Sequence, residues 1–152
     1  MPADSPLLCA NASLRRAARA VSQLYEEAFR GSGIRATQFT LLQVLDRKGE
    51  MRQNELDDFL AIDSTTLSRT LKPLEQRGWI ASRPGEEDRR ERWWSITREG
   101  RRELAGVRPR WIEAQKRLKT VLGEERWDNL LANLARVAGE ARSTLSQTQA
   151  TS

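Results

Sequence analysis

The sequence predicts a mainly α-helical chain with one small β-hairpin, and three observations predict it. Apolar residues recur at helical spacing near both ends, at Leu14, Ala17, Ala18, Val21, Leu24, Tyr25, Ala28 and Phe29, and again at Trp127, Leu130, Leu131, Leu134, Val137, Ala138, Ala141 and Leu145. In the middle, two short helical segments meet at a tight turn, with Asp63-Ser64-Thr65-Thr66 opening the second. After Gly78 the period changes from helical to alternating.

Taken in order, the first stripe predicts a helix from Leu14 to Phe29, ended by Gly31 and Gly33. Thr37 reads as the N-cap of a second helix carrying Phe39, Leu41, Leu42, Val44 and Leu45, stopped at Lys48-Gly49. A third helix covers Gln53 to Phe59, and a fourth, capped by Asp63, covers Ser64 to Arg77 before Gly78. Trp79 to Arg83 and Arg92 to Ile96 read as two strands around a polar loop, with Trp93 and Trp94 facing opposite ways. Thr97 caps a long helix towards Val121, in which Gly106 and Pro109 predict a kink near Ala105. Gly123 separates it from the last helix, and the tail after Leu145 is expected to fray.

Composition narrows the function. Twenty-six Lys and Arg against 21 Asp and Glu give a formal net charge of +5 over 152 residues, which permits a polyanionic partner without requiring one. Histidine is absent, which removes the commonest general base and metal ligand and excludes zinc fingers and serine-histidine triads. Neither cofactor nor metal is expected. Met1 to Cys9 has no signal-peptide pattern, no apolar run is long enough to span a bilayer, and Cys9 is the lone cysteine, so a cytoplasmic protein is expected.

Two short helices joined by a tight turn, followed by a hairpin, make the pattern of a winged helix-turn-helix, whose second helix fits a DNA major groove. Leu67, Leu71 and Leu74 define the inner face of that helix and leave Ser64, Thr65, Ser68, Arg69 and Lys72 on the outer side. Small hydroxyls approach base edges or phosphates closely, and Arg69 can reach a guanine or the backbone. The same residues also fit a plain capped and solvated helix. The hairpin tip, Glu86 to Arg92, carries arginines suited to a narrow minor groove. From Arg83 to Arg92, however, four arginines balance four acids, so a DNA-binding role needs Asp88 to brace one arginine in a fork-like ion pair while another projects.

From roughly Thr37 to Gly100 the chain resembles the MarR family of winged helix-turn-helix regulators. The resemblance rests on Thr37-Gln38-Phe39, the run from Asp63 to Arg69, the run from Leu74 to Ile80, Asp88-Arg89-Arg90, and Ile96 to Gly100. It implies a homodimer with interlaced terminal helices and two recognition helices in successive major grooves of a pseudo-palindrome. It places Ser64, Thr65, Thr66, Ser68, Arg69 and Lys72 against the major groove and Asp88 and Arg90 on the wing's Asp-x-Arg pair, with Arg90 reaching the minor groove and Arg89 a further DNA-binding candidate. Arg52 stands where the family often has a hydroxyl cap, and phosphate contact is the alternative role.

The implied organisation is a dimerisation segment over 1–36, a DNA-binding lobe over 37–100, dimerisation helices over 101–146 and a frayed tail over 147–152. A small aromatic or lipophilic effector is a further family theme, with Tyr25, Phe29 and Trp111 as liners or simply as core. Peroxide sensing at Cys9, as in some relatives, is an alternative; Tyr25 sits where one activating tyrosine stands, but Ala36 occupies the second position. Two rivals lie outside these readings. One is a winged-helix protein-interaction module without DNA binding. The other is an enzyme built on Glu86, Glu87 and Asp88, which lacks a histidine, a nucleophile motif and phosphate-binding glycines, so no enzymatic activity is expected.

Overall fold

A computed structural model describes residues 8–150, and the side chains of 8–147. Of the expectations above, the remainder of the signal-peptide window and the last two tail residues lie outside the described residues. The helices are α1 (Ala10–Ala28), α2 (Ala36–Lys48), α3 (Gln53–Leu60), α4 (Ser64–Gln76), α5 (Arg98–Leu122) and α6 (Glu124–Ala150), and the strands are β1 (Met51–Arg52), β2 (Ile80–Pro84) and β3 (Arg92–Ile96). The chain divides into two compact units, Met1–Ala114 and Gln115–Ser152, with the boundary inside α5.

The first unit is built around leucines supplied at helical spacing. Leu41, Leu42 and Leu45 of α2, Leu56 of α3, and Leu67, Leu71 and Leu74 of α4 are buried together with Ile80, Trp94 and Ile96 of the hairpin and Leu104 of α5. The three strands form an antiparallel sheet in the order β1-β3-β2. The hairpin register pairs Ile80 with Ile96 and Ser82 with Trp94, so alternate β3 side chains enter the core. Trp94 is buried and Trp93 half-exposed, the split that strand alternation predicts.

Several boundaries differ from expectation for identifiable reasons. Helix α1 begins at Ala10, because its first turn is helix-compatible although not amphipathic. The N-cap of α2 is Arg35, not Thr37: the Arg35 N–H donates to Gln38 Oε1 at 3.0 Å, and Thr37 falls inside the first turn. Ala61 ends α3 in the left-handed conformation, at φ 52°, which brings the chain round sharply into Asp63. Pro73 lies inside α4, where it removes the N–H that would bond the Arg69 carbonyl, yet the helix continues to Gln76 because Leu71 and Leu74 are anchored in the core. Likewise α5 runs without interruption through Gly106 and Pro109.

One close approach fixes the start of α5. The Thr97 Oγ1 accepts from the Gly100 N–H at 3.0 Å and donates to the Gly78 carbonyl at 2.6 Å, while the Thr97 N–H donates to the Trp79 carbonyl at 3.0 Å. This ties the helix to the turn at Gly78, which itself needs φ of 71°. A Cβ on Gly100 would stand 2.0 Å from the Trp79 carbonyl oxygen, so only glycine fits there.

The second unit contains the end of α5 and α6. Trp127 is its buried aromatic residue, whereas Leu130, Leu131, Leu134, Val137 and Leu145 of the α6 stripe are exposed. Helix α6 continues to Ala150, past the Leu145 boundary expected for the tail.

Candidate nucleic-acid interface

The outer face of α4 begins at a well-made cap. Asp63 accepts from the Thr66 N–H at 2.9 Å and from the Thr66 hydroxyl at 2.5 Å. The Thr66 hydroxyl proton is therefore committed to the cap, although this residue was expected to face a ligand. Ser64, Thr65, Arg69 and Lys72 are exposed, and Ser68 Oγ accepts a long hydrogen bond from Gln53 Nε2, 3.4 Å. These bonds from Thr66 hold the Asp63 carboxyl below its ordinary value of 3.8. A depressed carboxyl stabilises the fold above the unfolded value and loses that contribution as pH falls through the folded one. Asp63→Asn keeps a competent cap and is expected to flatten the loss of thermal stability below about pH 4 while changing neutral-pH stability little. Melting curves from pH 7 to pH 3 check this; an unchanged acid slope would assign it to other carboxylates.

The hairpin is anchored by charge. Arg52 of β1 and Arg83 of β2 both pair in register with Trp93 of β3, which places Arg–Trp–Arg in one row across the sheet. The guanidinium carbons lie 5.6 Å and 5.2 Å from the Trp93 ring centroid. Arg83 forks onto Glu50, with Nε–Oε1 at 2.8 Å and Nη2–Oε2 at 2.6 Å. Arg52 reaches Glu55 at 3.1 Å and Glu91 at 3.4 Å, and the hydrogen bond it donates to Glu55 is the main reason its pKa is raised. Phosphate contact is the role expected for Arg52, and its guanidinium also meets two carboxylates. Strand β1, not expected from the sequence, is what brings it there.

At the hairpin tip Asp88 does something different from the expected fork. Its Oδ1 accepts from the Arg90 backbone N–H at 2.9 Å, and its carbonyl accepts from the Glu91 N–H at 3.1 Å. Asp88 thus sets the backbone of the turn, an Asx-type role, rather than pairing with a guanidinium. Arg89 and Arg90 are exposed, and neither forms a side-chain ion pair among the described residues. A second link joins the hairpin to α4: Arg92 donates to Ser82 Oγ at 2.7 Å, and Ser82 donates to Glu75 at 2.6 Å.

Helix α4 and the hairpin tip meet around one groove of about 380 Å³, lined by Ser64, Asp88, Arg90, Arg92 and the start of α3. Arg52 and Glu91 also line it, and three further residues, Gln53, Asn54 and Asp57, complete its wall. Sequence reasoning singled out none of these three, because their approach depends on how α3 docks. Gln53 also accepts from the Trp94 indole N–H at 3.3 Å, linking strand, α3 and α4. Burial, then the neighbouring Asp58 and Asp63, push the Asp57 carboxyl up.

The candidate effector residues separate into two places. Tyr25, Phe29, Phe39 and Trp111 form a continuous aromatic row, with successive ring centroids at 6.2, 5.0 and 5.9 Å. Phe29 is buried in the core, while Tyr25 and Trp111 are half-buried at the ends of the row. Cys9 is exposed at the N-cap of α1. At 1.5 Å per residue it stands about 24 Å along the helix from Tyr25, so one protomer does not bring the two together. Among the described residues no group of three His, Cys, Asp or Glu side chains is placed to hold a metal ion, and no helix is long and apolar enough to cross a membrane.

A core-packed helical pair with an exposed second helix, flanked by a three-stranded hairpin sheet, defines a winged helix-turn-helix protein. Residues 34–91 match the model of the MarR family. The HTH-type transcriptional regulator YwoH of Bacillus subtilis is 28% identical over 105 residues, 69% of this chain and 76% of that protein. The M. tuberculosis transcriptional regulator MOSR, solved in complex with DNA, superposes with a TM-score of 0.79 at 29% identity, covering 90% of this chain and 98% of MOSR. CouR, a transcriptional repressor solved on a 23-mer DNA duplex, gives a TM-score of 0.76 at 27% identity, covering 88% and 99% of the two chains. Residues 34–91 thus carry a MarR-family match, and the proteins that the chain is similar to are transcriptional regulators.

Proposed function

We propose that the protein is a cytoplasmic repressor that binds a pseudo-palindromic DNA operator as a homodimer. The observation that carries this is a set of exposed cations without ion-pair partners among the described residues, Arg69 and Lys72 on α4 and Arg89 and Arg90 on the wing, with Ser64 and Arg90 lining one groove. Ser64, Thr65, Ser68, Arg69 and Lys72 then read the major groove, with Thr66 holding the helix cap, and Arg90 enters the minor groove from a turn braced by Asp88. MOSR and CouR, both solved on DNA, support the reading, and CouR's description as a repressor supports its direction. Selection of duplexes from a random pool is the test. Enrichment of half-sites about one helical turn apart, with affinity falling steeply in salt, is expected; no enrichment and no salt dependence would leave a protein-interaction module.

Residues 37–100 form the DNA-binding lobe in this reading, and 1–36 with 101–146 form the dimer. Support comes from the exposed α6 stripe, from Leu14 and Val21 on α1, and from the absence of any buried residue on α1. Leu134→Glu is expected to yield a monomer in sedimentation equilibrium and to weaken operator binding at least about a hundredfold, because two half-sites no longer act together. A dimer of unchanged affinity would move the interface elsewhere. The half-buried ends of the aromatic row, Tyr25 and Trp111, are where a small aromatic effector would act. Release of the operator by aromatic carboxylates tests that part, and no release at millimolar ligand ends it.

A further inference from the structure

The row across the sheet has a use beyond holding the hairpin together. Arg52, Trp93 and Arg83 lie side by side on β1, β3 and β2, and each outer arginine is tied to a carboxylate from another segment. Glu50, from the turn before β1, holds Arg83 of β2. Glu91, which follows Arg90 directly on the wing, holds Arg52 on the other side. Both wing strands are therefore fastened to the short β1 segment, and β1 leads straight into α3 of the helix-turn-helix.

We propose that this row is a clamp that presets the wing, with Glu91 acting through Arg52 as a positioning residue for DNA binding. The inference rests on the DNA-binding reading above. It assigns the carboxylate a role opposite to its charge: an acid beside a polyanion's binding surface should weaken binding, and its removal should help. A clamp predicts the reverse. Arg90 is useful only while its backbone is held at the groove, and the segment that holds it comprises Asp88, through its bond to the Arg90 N–H, and Glu91, through Arg52. Arg52 is already engaged by Glu55 and Glu91, so it is part of the mount rather than a contact.

The experiment uses the full chain and the duplex it selects. Glu91→Ala is expected to weaken binding by roughly threefold to tenfold per dimer, with an unchanged melting temperature, because an exposed pair contributes little to global stability but fixes a local geometry. In an Arg90→Ala background the same substitution is expected to change affinity no further, since the group being positioned is gone. Glu50→Gln at the opposite end of the row is expected to shift affinity in the same direction. Unchanged or tighter binding by Glu91→Ala would overturn the clamp. So would an Arg52→Gln variant whose salt dependence falls by about one per protomer, the signature of a direct phosphate contact. Failure of the parent protein to bind any selected duplex is a different result: it removes the DNA-binding reading itself.

Discussion

Gly100→Ala is expected to destabilise the protein by roughly 3 kcal/mol, more than any conservative change on its surface. The new methyl would lie 2.0 Å from the Trp79 carbonyl oxygen and 2.9 Å from Ile96 Cγ1. Neither neighbour can yield cheaply. The Trp79 carbonyl is backbone and already accepts from the Thr97 N–H, and Ile96 is buried in the core that also holds Leu104. Relief requires α5 to back away from the turn after α4, which breaks the Thr97 cap and loosens the wing at its base. Urea unfolding followed by helical circular dichroism gives the number. A loss below about 1 kcal/mol would mean that the turn relaxes around the methyl and that glycine is not required there.

Arg90→Ala is expected to weaken binding to every duplex by roughly a hundredfold, from about 1 to 3 kcal/mol for each of two protomers. Its exposed guanidinium makes no ion pair among the described residues, and its backbone is pinned by Asp88. It therefore brings charge to the groove without having to leave a partner. Arg89→Ala, beside it but without that brace, is expected to cost less. Titration of both variants at several salt concentrations checks the assignment. Equal losses would make the tip a diffuse electrostatic patch, and no loss from Arg90→Ala would move the wing contact to another residue.

What the sequence determined by itself were the features written in local spacing. Leu67, Leu71 and Leu74 mark the buried face of α4, Asp63 and Gly78 mark its ends, and Trp93 and Trp94 alternate out and in, because each depends on residues within a turn or a pleat. The exposed set on α4 followed from the same arithmetic. Thr66, expected at the major groove, also donates its hydroxyl to the capping Asp63 three residues before it. Tertiary structure alone decided the rest. Strand β1 is two residues long, too short to show a period, and exists only because Met51 and Arg52 meet Trp94 and Trp93. That pairing brings Arg52 to Glu91, thirty-nine positions away, a partner that no local spacing indicates. The groove walls at Gln53 and Asn54 and the need for glycine at Gly100 arise the same way. They are distances between segments remote in sequence, set by how leucines from three helices pack, and no local pattern records them.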